Sequence, residues 1–125
     1  MKKYLGNNTR IDHVAIAVKD LDKALFLYRD VFGFALMQCR EVKGSFSGMK
    51  SAELDAGGFS VVLVQGTDSA SQVCRYVEEY GSGVQHIAIE VDDVEVLAKT
   101  LKEAGVKFAT DIIRGRGLMQ IFTQR

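Results

Sequence analysis

Through Ile11-Asp12-His13-Val14-Ala15-Ile16-Ala17-Val18 the β-branched Val14, Ile16 and Val18 alternate with Ala15 and Ala17, and this period of two predicts a strand. The pattern then turns helical. Leu21, Ala24, Leu25, Tyr28 and Phe32 recur at intervals of three and four, Asp20 stands where an N-cap belongs, and Gly33 stops the run. Three more strand-like stretches follow, over 34–42, 49–55 and 59–65, separated by the turns Lys43-Gly44-Ser45 and Ala56-Gly57-Gly58. The unit is β-α-β-β-β.

The same order starts again 73 residues later with Val84-Gln85-His86-Ile87-Ala88-Ile89-Glu90-Val91. Asp93 caps a second helix over 94–104, where Val94, Leu97, Ala98 and Leu101 share one face, and Gly105 stops it. A strand over 106–113, a turn at Arg114-Gly115-Arg116-Gly117 and a strand over 118–123 complete what is present. By the same offset, the partner of strand 59–65 belongs near positions 132–138, so the second module is expected to lack its last strand. The expected organisation is one domain over residues 1–125, with module one at 11–66, a connector at 67–83 and an apparently truncated module two at 84–125. The connector holds a short helix over 72–80, with Val73 and Val77 inward. The fold class is α+β, the two modules building a curved mixed sheet around a cleft.

Length and charge narrow the function. A chain of 125 residues, 47% of them apolar, can bury one core. Sixteen basic and sixteen acidic side chains balance to zero without a like-charged run, which argues against a nucleic-acid partner. No apolar run is long enough to span a bilayer, and no apolar stretch follows the N-terminal lysines, so no membrane association and a cytoplasmic location are expected. Cys39 and Cys74 lack metal-binding spacing and read as reduced, partly buried thiols.

The two histidines are the only ones in the chain, and each is third in its copy of the repeated strand. A pseudo-twofold axis relating the copies would bring His13 and His86 together, and two converging imidazoles suit a divalent metal. The competing assignment is a pair of hydrogen-bonded core histidines facing different cavities, with ring nitrogens more than about 5 Å apart, beyond the reach of bonds of about 2.0–2.1 Å to one ion. Tyr28 and Phe32 fit ordinary packing, and Phe59, Val61 and Leu63 fit a core or a subunit interface. Arg114 and Arg116 could clamp a carboxylate or simply decorate a solvated hairpin.

Paired β-α-β-β-β modules with a histidine in each first strand resemble the vicinal oxygen chelate superfamily, which includes glyoxalase I, methylmalonyl-CoA epimerase, extradiol dioxygenases and antibiotic-binding resistance proteins. Ser71-Gln72-Val73, Tyr76 through Ala88, and Leu118-Met119-Gln120-Ile121-Phe122-Thr123 are most similar to the catalytic half of the 4-hydroxyphenylpyruvate dioxygenases. That resemblance implies that His13 and His86 are the two histidines of a 2-His-1-carboxylate iron site and that Gln72 and Gln120 line the substrate pocket. It also implies an Fe(II)-dependent oxidoreductase acting on a small 2-oxo acid or aromatic substrate, working as a homodimer.

The family's carboxylate ligand lies on the strand found missing, and Val64-Gln65-Gly66 replaces a family Pro-x-Asn element. Glu90 shares the parity of His86 but lies four residues further on, roughly 13 Å at about 3.3 Å per residue. Glu41 and Glu53 fall in middle strands of module one and reach the site only if the sheet curves favourably. Two other functions fit the same scaffold. One is a glyoxalase- or epimerase-type enzyme, in which a carboxylate base moves a proton; the other is a metal-free small-molecule-binding protein.

Overall fold

The computed structural model describes residues 9–44, 48–109, 113–115 and 118–120, of which the last two ranges are described by backbone pairing. Strands β1 (Arg10–Ala17), β2 (Ala35–Val42), β3 (Met49–Asp55), β4 (Ser60–Gly66) and β5 (Gly83–Glu90) form one mixed sheet in the order β2-β3-β4-β1-β5. β1 and β4 are parallel, whereas β2-β3 and β3-β4 are antiparallel hairpins. Helix α1 (Leu21–Leu25) connects β1 to β2, so the first module has the expected β-α-β-β-β order.

Asp20 caps α1, its side chain accepting from the Lys23 N–H at 3.2 Å. The helix does not run on regularly to Phe32 as its periodicity predicts. Over Phe26–Val31 it widens into a π-helical turn, with the Phe32 N–H bonded to the Leu27 carbonyl at 2.9 Å. The wider turn sets the Tyr28 ring against both Phe32 and Phe34, at centroid distances of 5.4 and 6.2 Å. Gly33 then adopts φ +82°, a conformation that disfavours any side chain, and the chain turns into β2.

Register assigns each strand residue to a face. On one face Val61, Leu63, Leu54 and Ala52 pack against Leu21 and Leu25 of α1, and Leu54 and Leu63 are fully buried there. The opposite face carries, in register, His13 beside Ser60, Ala15 beside Val62 and Ala17 beside Val64. Across β3 and β2 that face continues from Val62 through Glu53 to Gln38, and from Val64 through Ser51 to Arg40. Helix α2 (Gln72–Tyr80) covers its Ala17–Val64 end through Val73. The His13–Ser60 row lies at the other end.

The joint between β4 and α2 explains the departure at Val64-Gln65-Gly66. The Gln65 Oε1 accepts from the Leu21 N–H at 2.8 Å and so serves as a second cap on α1. Gly66 lies where a Cβ would run into Cys74 Sγ and Ser71 Oγ and approach Cys74 N at 2.8 Å. Ser71 is wholly buried as the cap of α2. Gly66→Ala must therefore push the helix off the sheet, and a destabilisation of about 2–3 kcal/mol is expected in urea unfolding. A change below about 0.5 kcal/mol would mean that the joint yields freely.

Two compact units divide the chain, Ile11–Ile89 and a second made of Met1–Arg10 with Glu90–Arg125. In the second unit α3 (Val94–Glu103) is capped by Asp93, which accepts from the Glu95 and Val96 N–H groups. β6 (Ile113–Gly115) and β7 (Leu118–Gln120) form a hairpin. Of the strand expected over 106–113, Val106 is instead tied to the end of α3, its N–H bonded to the Leu101 carbonyl at 2.9 Å, Phe108 forms a bridge, and 110–112 lie outside the described residues. Arg114 belongs to β6 rather than to the turn, and Arg116 lies outside the described residues. Arg10 Nε and Glu90 Oε2 form an exposed ion pair at 2.8 Å. Cys39 is exposed on strand β2, contrary to the partly buried thiol expected, because among the described strands none pairs with β2 on its outer side; Cys74 is half-buried. No described helix is long and apolar enough to cross a membrane.

Candidate functional site

His13 on β1 and His86 on the neighbouring β5 meet through their Nε2 atoms at 3.2 Å, with ring centroids 5.3 Å apart and planes at 77°. The two imidazoles thus face each other across adjacent strands, well inside the 5 Å limit set by a shared ligand. Both are half-buried.

The residue before each histidine sets its ring. Asp12 Oδ2 lies 2.8 Å from His13 Nδ1, and Gln85 Oε1 lies 3.1 Å from His86 Nδ1. A carboxylate and an amide oxygen only accept, so each Nδ1 carries the proton and donates it. In the neutral rings each Nε2 then presents its lone pair, and the two nitrogens face each other at 3.2 Å. Such a pair calls for a cation between its members. Two ligands at about 2.0–2.1 Å from one ion and about 100–106° apart would be about 3.2 Å from each other, the separation seen. The donor set therefore fits a divalent metal.

The β3 register brings two carboxylates to this face: Asp55, which is exposed and whose Oδ1 accepts from the Gly57 N–H at 2.8 Å, and Glu53. Glu53 Oε2 accepts from Ser60 Oγ at 3.0 Å, and Ser60 is the register partner of His13. Glu53 is half-buried. Glu41 pairs with Lys50 in the alternate register and belongs to the opposite face. Among the described residues no cluster of three His, Cys, Asp or Glu side chains could by itself enclose a metal. The site so far comprises two imidazoles with the Glu53 carboxylate further along the same face.

Gln72 occupies the first turn of α2 and is exposed. Its helix is anchored on Ala17 and Val64, four strand residues from the His13–Ser60 row, and no described hydrogen bond joins it to the histidines. Gln120 ends β7, opposite Ile113, and its side chain lies outside the described residues. Asp12, Gln85 and Ser60 escaped the sequence reading. The first two were signalled by their position directly before each histidine, whereas Ser60 becomes visible only once the β1-β4 register is known.

A family model described as the Glyoxalase/Bleomycin resistance protein/Dioxygenase superfamily matches residues 10–123. A 4-hydroxyphenylpyruvate dioxygenase of Legionella pneumophila (strain Corby) is 33% identical over 110 residues, which cover 83% of this chain and 32% of that protein. The chain thus spans about a third of the length of that curated relative. Among solved structures, a hypothetical protein from Bacillus halodurans superposes with TM-score 0.87 at 26% identity, covering 94% of this chain and 86% of the other. A methylmalonyl-CoA epimerase from Mycobacterium tuberculosis does so with TM-score 0.80 at 27% identity, covering 91% and 77%.

Proposed function

Because the chain belongs to the glyoxalase/bleomycin resistance protein/dioxygenase superfamily, we propose that it is a metal-dependent enzyme acting on a small oxygenated substrate, in which Glu53 moves a proton beside a divalent cation held by His13 and His86. The carrying observation is the facing pair of Nε2 atoms at 3.2 Å, each ring fixed by an acceptor on its other nitrogen. Fe(II) is the metal suggested by the dioxygenase relatives. When bound, the cation supplies a Lewis acid for a substrate carbonyl oxygen.

The chain's own residues supply the remaining chemistry. The imidazoles bring no negative charge, so a cation held by them would retain its Lewis acidity, and a pair of protein ligands would leave room for two neighbouring substrate oxygens. Ser60 holds Glu53 Oε2, which leaves Oε1 as the atom that takes a proton from the carbon next to the carbonyl and returns it. This is epimerase- or isomerase-type chemistry on an enolisable acid or thioester, at a site two copies of this chain would carry twice if it works as a homodimer.

A second reading, an Fe(II) dioxygenase acting on a 2-oxo acid, is favoured by the 33% identity to the Legionella enzyme and uses Gln72 and Gln120 as pocket amides. It gives Glu53 no part in the chemistry. Two assays on the metal-loaded chain separate them. Incubation with methylmalonyl-CoA in D₂O is expected to wash out the proton next to the carbonyl, read by NMR, without oxygen consumption. Oxygen uptake with 4-hydroxyphenylpyruvate and no exchange would transfer the assignment to the dioxygenase reading.

A further inference from the structure

The two histidines are chemically unequal, and the difference lies in the residues directly before them. His13 Nδ1 is held at 2.8 Å by a carboxylate and His86 Nδ1 at 3.1 Å by a neutral amide. A carboxylate draws the Nδ1 proton harder than an amide does and so makes the far nitrogen a stronger donor. The shorter contact accompanies the charged partner. Both acceptors sit on the same strand as the ring they hold.

We infer that Asp12 and Gln85 are positioning residues that set the affinity of the His13–His86 pair for a divalent cation. His13 would be the stronger ligand of such a cation and His86 the weaker. The inference rests on the metal reading of the pair and adds an order to it. Each acts through the ring it holds.

Titration of the metal-free full chain with Co²⁺, followed by the visible absorption of the ion, tests this directly. Asp12→Ala is expected to weaken binding by about 10–100-fold, the usual cost of losing an outer-shell partner of a ligating histidine. Asp12→Asn retains an acceptor oxygen but not the charge, and should fall between Asp12→Ala and the parent. Gln85→Ala should cost less than Asp12→Ala, and Gln85→Glu, which gives His86 the same kind of partner as His13, should tighten binding and shift the Co²⁺ bands. A merely structural role predicts no gain from Gln85→Glu and no ordering of the Asp12 variants. Parent-like affinity in both alanine variants would overturn the inference and leave the metal reading standing. Failure of the parent chain itself to bind Co²⁺ would overturn both.

Discussion

Glu53→Gln is expected to slow proton exchange on methylmalonyl-CoA by about 10²–10⁴-fold, or about 3–5 kcal/mol of barrier, while leaving Co²⁺ affinity within a factor of about two. The amide still accepts from Ser60 Oγ, so the hydrogen bond at 3.0 Å and the packing of β3 survive the change. What disappears is the basic oxygen. Leu54 and Ala52, the neighbours of Glu53 on β3, are buried on the other face of the sheet, so the core need not move. Ser60→Ala should give a smaller loss in the same assay, because it frees the carboxylate without removing it. Equal exchange rates in Glu53→Gln and the parent would end the proton-transfer assignment, and would do so without touching the metal site.

Removing either histidine should act on the metal itself. His13→Ala and His86→Ala each leave one imidazole, and the loss of Co²⁺ affinity must exceed the roughly 10–100-fold cost of an outer-shell change. In the parent, metal at one hundred times its dissociation constant adds about 2.7 kcal/mol to folding stability. For a domain of this size that is a rise of about 10 °C in melting temperature. Neither alanine variant should show that rise, and their metal-free melting temperatures should stay close to the parent's, since two nitrogens facing each other at 3.2 Å contribute little to the metal-free fold. A metal-induced rise of parent size in either variant would show that the ion sits elsewhere.

Much of this arrangement was legible in the residues. The alternation in Ile11–Val18, the capping Asp20 and the stop at Gly33 mark β1 and α1, and their reappearance around His86, Asp93 and Gly105 marks the repeat that joins the two histidines. The β3 and α2 boundaries, Met49–Asp55 and Gln72–Tyr80, follow directly from hydrophobic period and turn residues. What stayed hidden depends on long-range pairing. Glu41 and Glu53 look equivalent as middle-strand carboxylates, and only the β2-β3-β4 register puts Glu53 on the histidine face and Glu41 on the other. Helical spacing cannot distinguish an α-turn from the widened turn over Phe26–Val31, because the aromatic contacts of Tyr28 that accompany it involve Phe34, beyond the helix. The hydrogen bond that ties Val106 to the end of α3 is likewise not announced by its β-branched side chain.

The central claim is that the facing nitrogens of His13 and His86 flank one cation. K-edge X-ray absorption on the chain loaded with one equivalent of Co²⁺ reads this most directly. The claim predicts two imidazole scatterers at about 2.0–2.1 Å in the parent and one in His86→Ala. A shell of oxygen ligands alone, unchanged by that substitution, would contradict it.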